Sequence, residues 1–346
     1  MAEWTTSITR VEPNNIRVSG YPLQQLVEKK NLLEVAFLLV NGELPEPPES
    51  QSISKTALGA SSVPATHIEA APGDDISKTI AAYLLTDLGL VQYPNDNPQE
   101  KTAYALGRAV RYIANIYGNG TALDSGPHTF SQAISLAFTG KAGSEERLLE
   151  AMITACVDHG VTPPSAQATR IAASVRASYE VAVAHGVGAI TDVHGGAGAK
   201  AAGFFKSIDK SYSGDLGGAI EDYSAQKKRI PGLGHRVHKN DPRRDVLWKM
   251  AKESGVSGPC VEYSMKIGGI FREKTGKDLP INVDGIIGAI VADLGLDDSA
   301  AKAIFILGRI AGLSAHYYEE VNTQPRMRRI NFSEAEYAGP GERSVK

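Results

Sequence analysis

Apolar residues recur every third and fourth position through most of the chain. DISKTIAAYLLTDLGL, PQEKTAYALGRAVRYIANIYG, TFSQAISLAFTG, SEERLLEAMITACVDHG and PSAQATRIAASVRASYEVAVAHG all carry this pattern, which is the spacing of one helical face. Many of these runs start at Ser, Thr, Asp or Pro and most stop at Gly, residues suited to helix starts and ends. A further helix is predicted from about Asn31 to Asn41, closed by Gly42 and Pro45. Strand-like alternation is almost absent, so the pattern predicts an all-α protein.

The breaks in this pattern divide the chain. The first residues are polar and β-branched up to a Gly20-Tyr21 turn, and the Pro-, Ser- and Gly-rich stretch from Pro45 to Asp75 reads as an extended or mobile excursion. After the glycine-rich GVGAITDVHGGAGAKAAGFF the helices become shorter and more polar. SAAKAIFILGRIAGLSAHYYEEV is then apolar nearly all round, with Gly308, Ala311, Gly312 and Ala315 for close contact, and reads as a core helix. The change of texture predicts a large helical domain (1–202 and 301–346) with an inserted small helical domain (203–300). No internal repeat is present. The basic, non-periodic tail from Asn322 is expected to fray or to dock on a neighbouring subunit.

Composition narrows the partners. The 346 residues hold 36 Lys+Arg against 39 Asp+Glu, a net charge of −3, so no global basic field points to nucleic acid or to an anionic membrane. An anion site must therefore be local. The opening MAEWTTSITR has no signal-type apolar run, and no stretch approaches the roughly 20 apolar residues of a membrane span; a cytoplasmic location is expected. Cys156 and Cys260 form no CxxC and read as free buried thiols.

Local anion chemistry concentrates in RIPGLGHRVHKNDPRR (229–244). Asn240 or Asp241 is expected to cap a helix with Pro242 and Arg243 in its first turn, and a basic side chain there opposes the helix dipole unless an anion offsets it. Gly232-Leu233-Gly234 lets backbone approach a ligand closely; the alternative is a glycine turn beside a solvated basic face. His235 and His238 are half a metal site by spacing, but no Cys or Glu stands at ligand distance in sequence, so no metal is expected.

Elsewhere His194 precedes two glycines, where a ligand has access to its ring or where the histidine merely caps a turn. Asp284 stands at a helix start in an apolar setting, as an N-cap or as a desolvated general base. Arg309, in an otherwise uncharged run of helix, needs an internal carboxylate or a bound acid, with His316 on the same face. His159 ends a helix, where the dipole favours it.

Taken in order, VDHG, DVHGGAG, PGLGHRVHKNDPR, NVDGIIG, FILGRIAGLSAHYYEE and RMRRI resemble the landmarks of the citrate synthase superfamily, and SGYPLQQL…EVAFLLVNGELP resembles its amino-terminal segment. DHG followed by PPSA is most similar to citryl-CoA lyases and the corresponding part of ATP citrate lyase. The resemblance implies an all-α dimer, or a higher oligomer, whose small domain closes over coenzyme A and oxaloacetate or citrate. It implies that His194 hydrogen-bonds the thioester oxygen, Asp284 exchanges a proton at the acetyl methyl, and His235 serves an oxygen of the four-carbon acid. It implies too that His159, Arg243 and Arg309 clamp substrate carboxylates, with Arg328 or Arg329 reaching in from a second subunit. Ile230, Pro231, Gly232, Leu233 and Gly234 would form the wall for the CoA adenine, and Lys227, Lys228 and Arg229 would meet its phosphates.

Three departures stand out, the first being that the Pro45–Asp75 segment has no helical pattern that matches the family. Gly198-Ala199-Lys200 replaces the Asn or Glu familiar after HGGA, and the His235-to-Arg243 spacing is one residue shorter than in some members, which makes Arg244 the alternative to Arg243. The expected activity is cleavage of citryl-CoA to acetyl-CoA and oxaloacetate, with citrate or 2-methylcitrate synthesis as the alternative. The coenzyme A thioester is expected as substrate, and no tightly bound cofactor is expected. A non-catalytic binder of CoA or carboxylates is the reading from a different class, disfavoured because a binder has no need of two imidazoles plus a carboxylate at these landmarks.

Overall fold

The computed structural model describes residues 4–65, 75–88 and 97–345. Sixteen α-helices account for most of them, beside one small antiparallel sheet. In that sheet Thr9–Glu12 pairs with Asn15–Val18, and Tyr21–Pro22 adds a short third strand. Ile16 and Val18 face inward in alternation, while the turn between the first two strands places Asn14 in the left-handed region at φ 58°. Asn31 and Glu34 form a reciprocal capping box at the start of helix Leu32–Asn41, and Gly42 ends it with φ 86°.

The stretch from Pro45 to Asp75 departs from the expected excursion. Pro47–Ser62 is a helix, with Pro47 at its first position and Glu46 and Glu49 closing a capping box. Its buried stripe is only Ile53, Ala57, Ala60 and Ser61, too small and too polar to register as an apolar face. Residues 66–74 lie outside the described residues. The helix packs on Pro98–Ile116 at Gly107, where an added Cβ would overlap the Ala57 carbonyl.

Helix Ala300–Thr323 is the centre of the core, buried on nearly every side from Ala300 to His316. It contacts Leu32–Asn41, Pro98–Ile116, Pro164–Ser174, Tyr179–Gly188, Ala197–Tyr212 and Val283–Asp293. Gly308 and Gly312 let it lie directly on the backbone of Ile153 and Val157. A second tight pairing joins Ala197–Tyr212 to Val283–Asp293, where Gly288 meets the Gly198 carbonyl. Ala197–Tyr212 runs continuously through residue 202, so it carries chain from the large helical body into the segment from 203 onward. Among the described residues no helix is long and apolar enough to cross a membrane.

Candidate active site

The site forms where four chain segments meet the middle of helix Ala300–Thr323. Arg309 is the hub. Its guanidinium is buried, lies over the Phe305 ring at 4.7 Å, and has Asp158 Oδ1 at 4.0 Å, too long for a hydrogen bond. Its Nε and Nη1 have no hydrogen-bond partner. A buried cation with unused donors costs on the order of 1–3 kcal/mol per orphaned group, and is a ready receptor for a carboxylate.

Asp158 instead bonds His316 Nε2 at 3.0 Å. Burial would push its carboxyl up, but the His316 ring and the Arg309 charge outweigh burial and hold it well below the usual carboxylate range. The helix preceding it ends at Thr154, earlier than expected, so Asp158 and His159 belong to a turn. From His316 the polar chain continues to Arg170, which bonds Glu319 at 2.6 Å and Glu320 at 2.9 Å, and Glu320 in turn holds Arg328 at 2.7 Å.

His194 sits in the turn before helix Ala197–Tyr212, edge-on to Phe305, with Nε2 at 2.9 Å from Ser165 Oγ. Burial, then the Arg309 charge, lowers it to about 4, so the ring is neutral at pH 7. The turn is anchored from below: Lys302 bonds both Asp75 and Asp192, and Ser77 donates to the Ile190 carbonyl.

Asp284 is the second residue of helix Val283–Asp293; the cap is Asn282, whose side chain accepts from the Gly285 N–H. The expected capping role therefore falls to Asn282 and leaves the Asp284 carboxyl free. Half-buried, it is pushed up by desolvation, which the charges of Arg243 and Arg309 only partly offset. The charge of Arg309 reaches both His194 and Asp284, and the Asp284 backbone lies beside Gly198, the second residue of helix Ala197–Tyr212. The two residues, ninety apart in sequence, thus stand at the amino-terminal ends of the paired helices Ala197–Tyr212 and Val283–Asp293.

Arg243 stands at the N-cap position of helix Arg244–Glu253 rather than in its first turn. Its fork is committed to Asp241: Nε to Oδ1 at 2.8 Å, Nη2 to Oδ2 at 2.7 Å, with Nη1 to the Ala155 carbonyl at 3.2 Å. Asp241 also accepts the Val283 N–H at 3.1 Å. Burial opposes its charge, yet Arg243 holds it well below the ordinary range. One carboxylate therefore ties the arginine to the start of the Asp284 helix. Arg244 turns outward onto Asp245 and Trp248.

Gly232 and Gly234 adopt φ of 77° and 96°. An added Cβ at Gly232 would overlap Gly285, and the loop is laced to the same helix start by Asn282 N to Gly232 O at 3.0 Å and Gly234 N to Pro280 O at 2.6 Å. Outside the loop opens a cleft of about 740 Å³, whose floor includes Ile230, Leu233, Phe271 and Leu279 and whose rim carries Lys227, Lys228, Arg229, Arg236 and Lys277. His235 is among its lining residues. Pro231 is half-buried beside it.

His159, His235 and His238 come together from two segments, with ring centroids 4.4 to 5.9 Å apart. Burial is the main cause holding all three below the usual imidazole value, His159 at about 3 and His235 at about 4. Of the expected site residues, His159, His194, Arg243, Asp284 and Arg309 do not line the cleft, and Arg328 and Arg329 stand apart: Arg328 is stacked on Trp4 and paired to Glu320, and Arg329 is exposed. Sequence reasoning assigned no part to Asp158, Asn14 or Ser165 and saw Asp241 only as a cap. The one signal was the need of Arg309 for a counter-charge, which Asp158 partly meets.

The fold and site define a predominantly helical protein with a basic, apolar-floored cleft and, in its core, a buried Arg309 with open donors, a neutral imidazole at His194 and a desolvated carboxyl at Asp284. The family model described as "Citrate synthase, C-terminal domain" matches residues 1–330, and the chain belongs to the citrate synthase family. It is 26% identical to citrate/2-methylcitrate synthase of Bacillus subtilis (strain 168), covering 92% of this chain and 90% of the relative. It is also 26% identical to citrate synthase of Thermoplasma acidophilum, covering 99% and 94%. The solved ternary complex of the Thermoplasma acidophilum enzyme with carboxymethyl coenzyme A and oxaloacetate superposes with a TM-score of 0.80 at 22% identity, over 99% of this chain and 95% of that one. Citryl-CoA lyase from Hydrogenobacter thermophilus gives 0.53 at 26% identity, over 99% and 97%.

Proposed function

We propose that the protein condenses an acyl-CoA, acetyl-CoA foremost, with oxaloacetate in a citrate synthase reaction. What supports this is that His194 and Arg309 both pack on the Phe305 ring, with Asp284 within the field of the same arginine, in a chain matched nearly end to end by citrate synthases. The sequence alone put citryl-CoA cleavage first; the curated relatives favour condensation.

Asp284 removes a proton from the acetyl methyl while His194 hydrogen-bonds the thioester oxygen, where the charge develops. A carboxylate of pKa near 4 is too weak to do this unaided. Desolvation strengthens it as a base, and a preorganised donor adds about 3 kcal/mol. The enol carbon then attacks the carbonyl carbon of oxaloacetate, whose oxygen takes a proton from His235, giving citryl-CoA. Water cleaves the thioester to citrate and free CoA. Arg309, with its open donors, holds a substrate carboxylate; Arg243 and His159 flank it. CoA lies in the 740 Å³ cleft with its phosphates on Lys227, Lys228 and Arg229. In this reading the segment 203–300 is the closing domain, and the protein is a homodimer in which Arg328 or Arg329 serves the second subunit's site.

The second reading is citryl-CoA lyase, whose solved structure is matched over 99% of this chain at 26% identity, the same identity as to the citrate synthases. It uses the same groups in reverse. Purified protein given acetyl-CoA, oxaloacetate and a thiol reagent is expected to release CoA continuously. Oxaloacetate released from citryl-CoA without such turnover selects the lyase; inactivity in both assays refutes both.

A further inference from the structure

His238 is 2% exposed, and its Nε2 has no partner. Its Nδ1 accepts the backbone N–H of Asn14 at 2.9 Å, across 224 residues of sequence. An amide can only donate, so Nδ1 carries no hydrogen and the neutral ring carries its hydrogen on Nε2. His235 is fixed in the same form, its Nδ1 accepting the N–H of Val237 at 3.0 Å and of His238 at 2.9 Å. The hairpin turn enforces the arrangement twice, because Asn14 Oδ1 also accepts from Lys239 N at 2.9 Å and Asn240 N at 2.8 Å. His159 Nε2 is likewise buried and unpartnered.

One nitrogen from each of the three rings lies within 4.8 Å of the others. Three points no further apart than this have a common point within about 2.8 Å of all of them, which is the reach of an N–H···O hydrogen bond. A metal ligand would need a bare lone pair at about 2.0–2.1 Å and a hydrogen on the opposite nitrogen, where Asn14, Val237 and His238 already point amide hydrogens. The array suits an oxygen acceptor.

We propose that His238 is a specificity-determining residue for the four-carbon acid, donating its Nε2–H to an oxygen that His159 and His235 also address, with Asn14 as the positioning residue that fixes its tautomer. The assignment of the acid as oxaloacetate rests on the function proposed above. The Nε2–H donors of His235 and His238 themselves call for a carbonyl or carboxylate oxygen.

Two measurements test it. In wild-type protein labelled with ¹⁵N-histidine, His238 is expected as the Nε2–H tautomer, with its Nε2 signal moving on addition of oxaloacetate. An Nδ1–H form, or a signal indifferent to saturating oxaloacetate, overturns the proposal even where variants do not fold. In steady-state kinetics His238→Phe is expected to raise KM for oxaloacetate about tenfold or more, leaving KM for acetyl-CoA within about twofold, and His238→Gln to recover part of the loss. A folded His238→Phe protein with unchanged KM for oxaloacetate also overturns it. If the wild type turns over neither acetyl-CoA with oxaloacetate nor citryl-CoA, yet its His238 signal answers oxaloacetate or citrate, the function falls and the donor site stands. Brisk turnover with an indifferent His238 signal does the opposite: the function stands and the donor site falls.

Discussion

Replacing Asp241 with alanine removes one carboxylate and breaks four hydrogen bonds at once: three to Arg243, from its N, Nε and Nη2, and one from the Val283 N–H. Both side chains are buried, at 3% and 0% exposure, so Arg243 is left as a desolvated cation without its hydrogen-bonded counter-ion. Breaking such a pair costs about 3–5 kcal/mol, and an orphaned backbone N–H adds on the order of 1 kcal/mol or more. About 4 kcal/mol or more is therefore expected, a large share of a typical stability of about 5–15 kcal/mol. Urea unfolding at pH 7 measures it. Taking out both charges together, as Asp241→Leu with Arg243→Met, is expected to restore most of the loss while leaving the enzyme inactive. The native carboxyl lies below its unfolded value. Its stabilisation is thus complete at neutral pH, declines only below about pH 3.9, and is gone once the pH has fallen through the depressed native value. A single-variant loss under about 1 kcal/mol, or a double variant no better than the single, would refute the assignment of Asp241 as the tie between Arg243 and the Asp284 helix.

Arg309→Met removes a buried cation whose Nε and Nη1 are unbonded; it is expected to abolish turnover while holding or raising the thermal midpoint, and a drop of several degrees refutes the reading of Arg309 as an unsatisfied receptor. His159, His194 and His235 have native values at about 3, 4 and 4, below the unfolded 6.5. The unfolded chain therefore binds more protons between these limits, and stability falls as pH drops from 6.5 toward 4. His194→Gln is expected to flatten that slope in denaturation curves collected between pH 4 and 7, and an unchanged slope counts against a neutral buried ring.

The helices with broad apolar faces were legible because their pattern repeats over several turns, and Arg309 stood out as a charge inside such a run. Pro47–Ser62 was not, since alanine and serine against Gly107 bury backbone more than side chains. Family landmarks brought out His194, His235 and Asp284. The partners that set their chemistry were hidden by sequence distance: Asn14 lies 224 residues from His238, and Asp158 lies 158 from His316. Asp241 reads locally as a helix cap, and only the approach of Val283 from another helix reveals its second task.

Arg309, His316 and Glu320 lie along one helix, and with Asp158, Arg170 and Arg328 they form a continuous file of polar side chains from Arg309 to the base of the carboxyl-terminal tail. Cutting the chain before Arg328 would strip Glu320 of one counter-ion and throw its whole charge onto Arg170. The disturbance would then pass through His316 to the carboxylate that faces Arg309. The tail thereby helps set the electrical balance around Arg309.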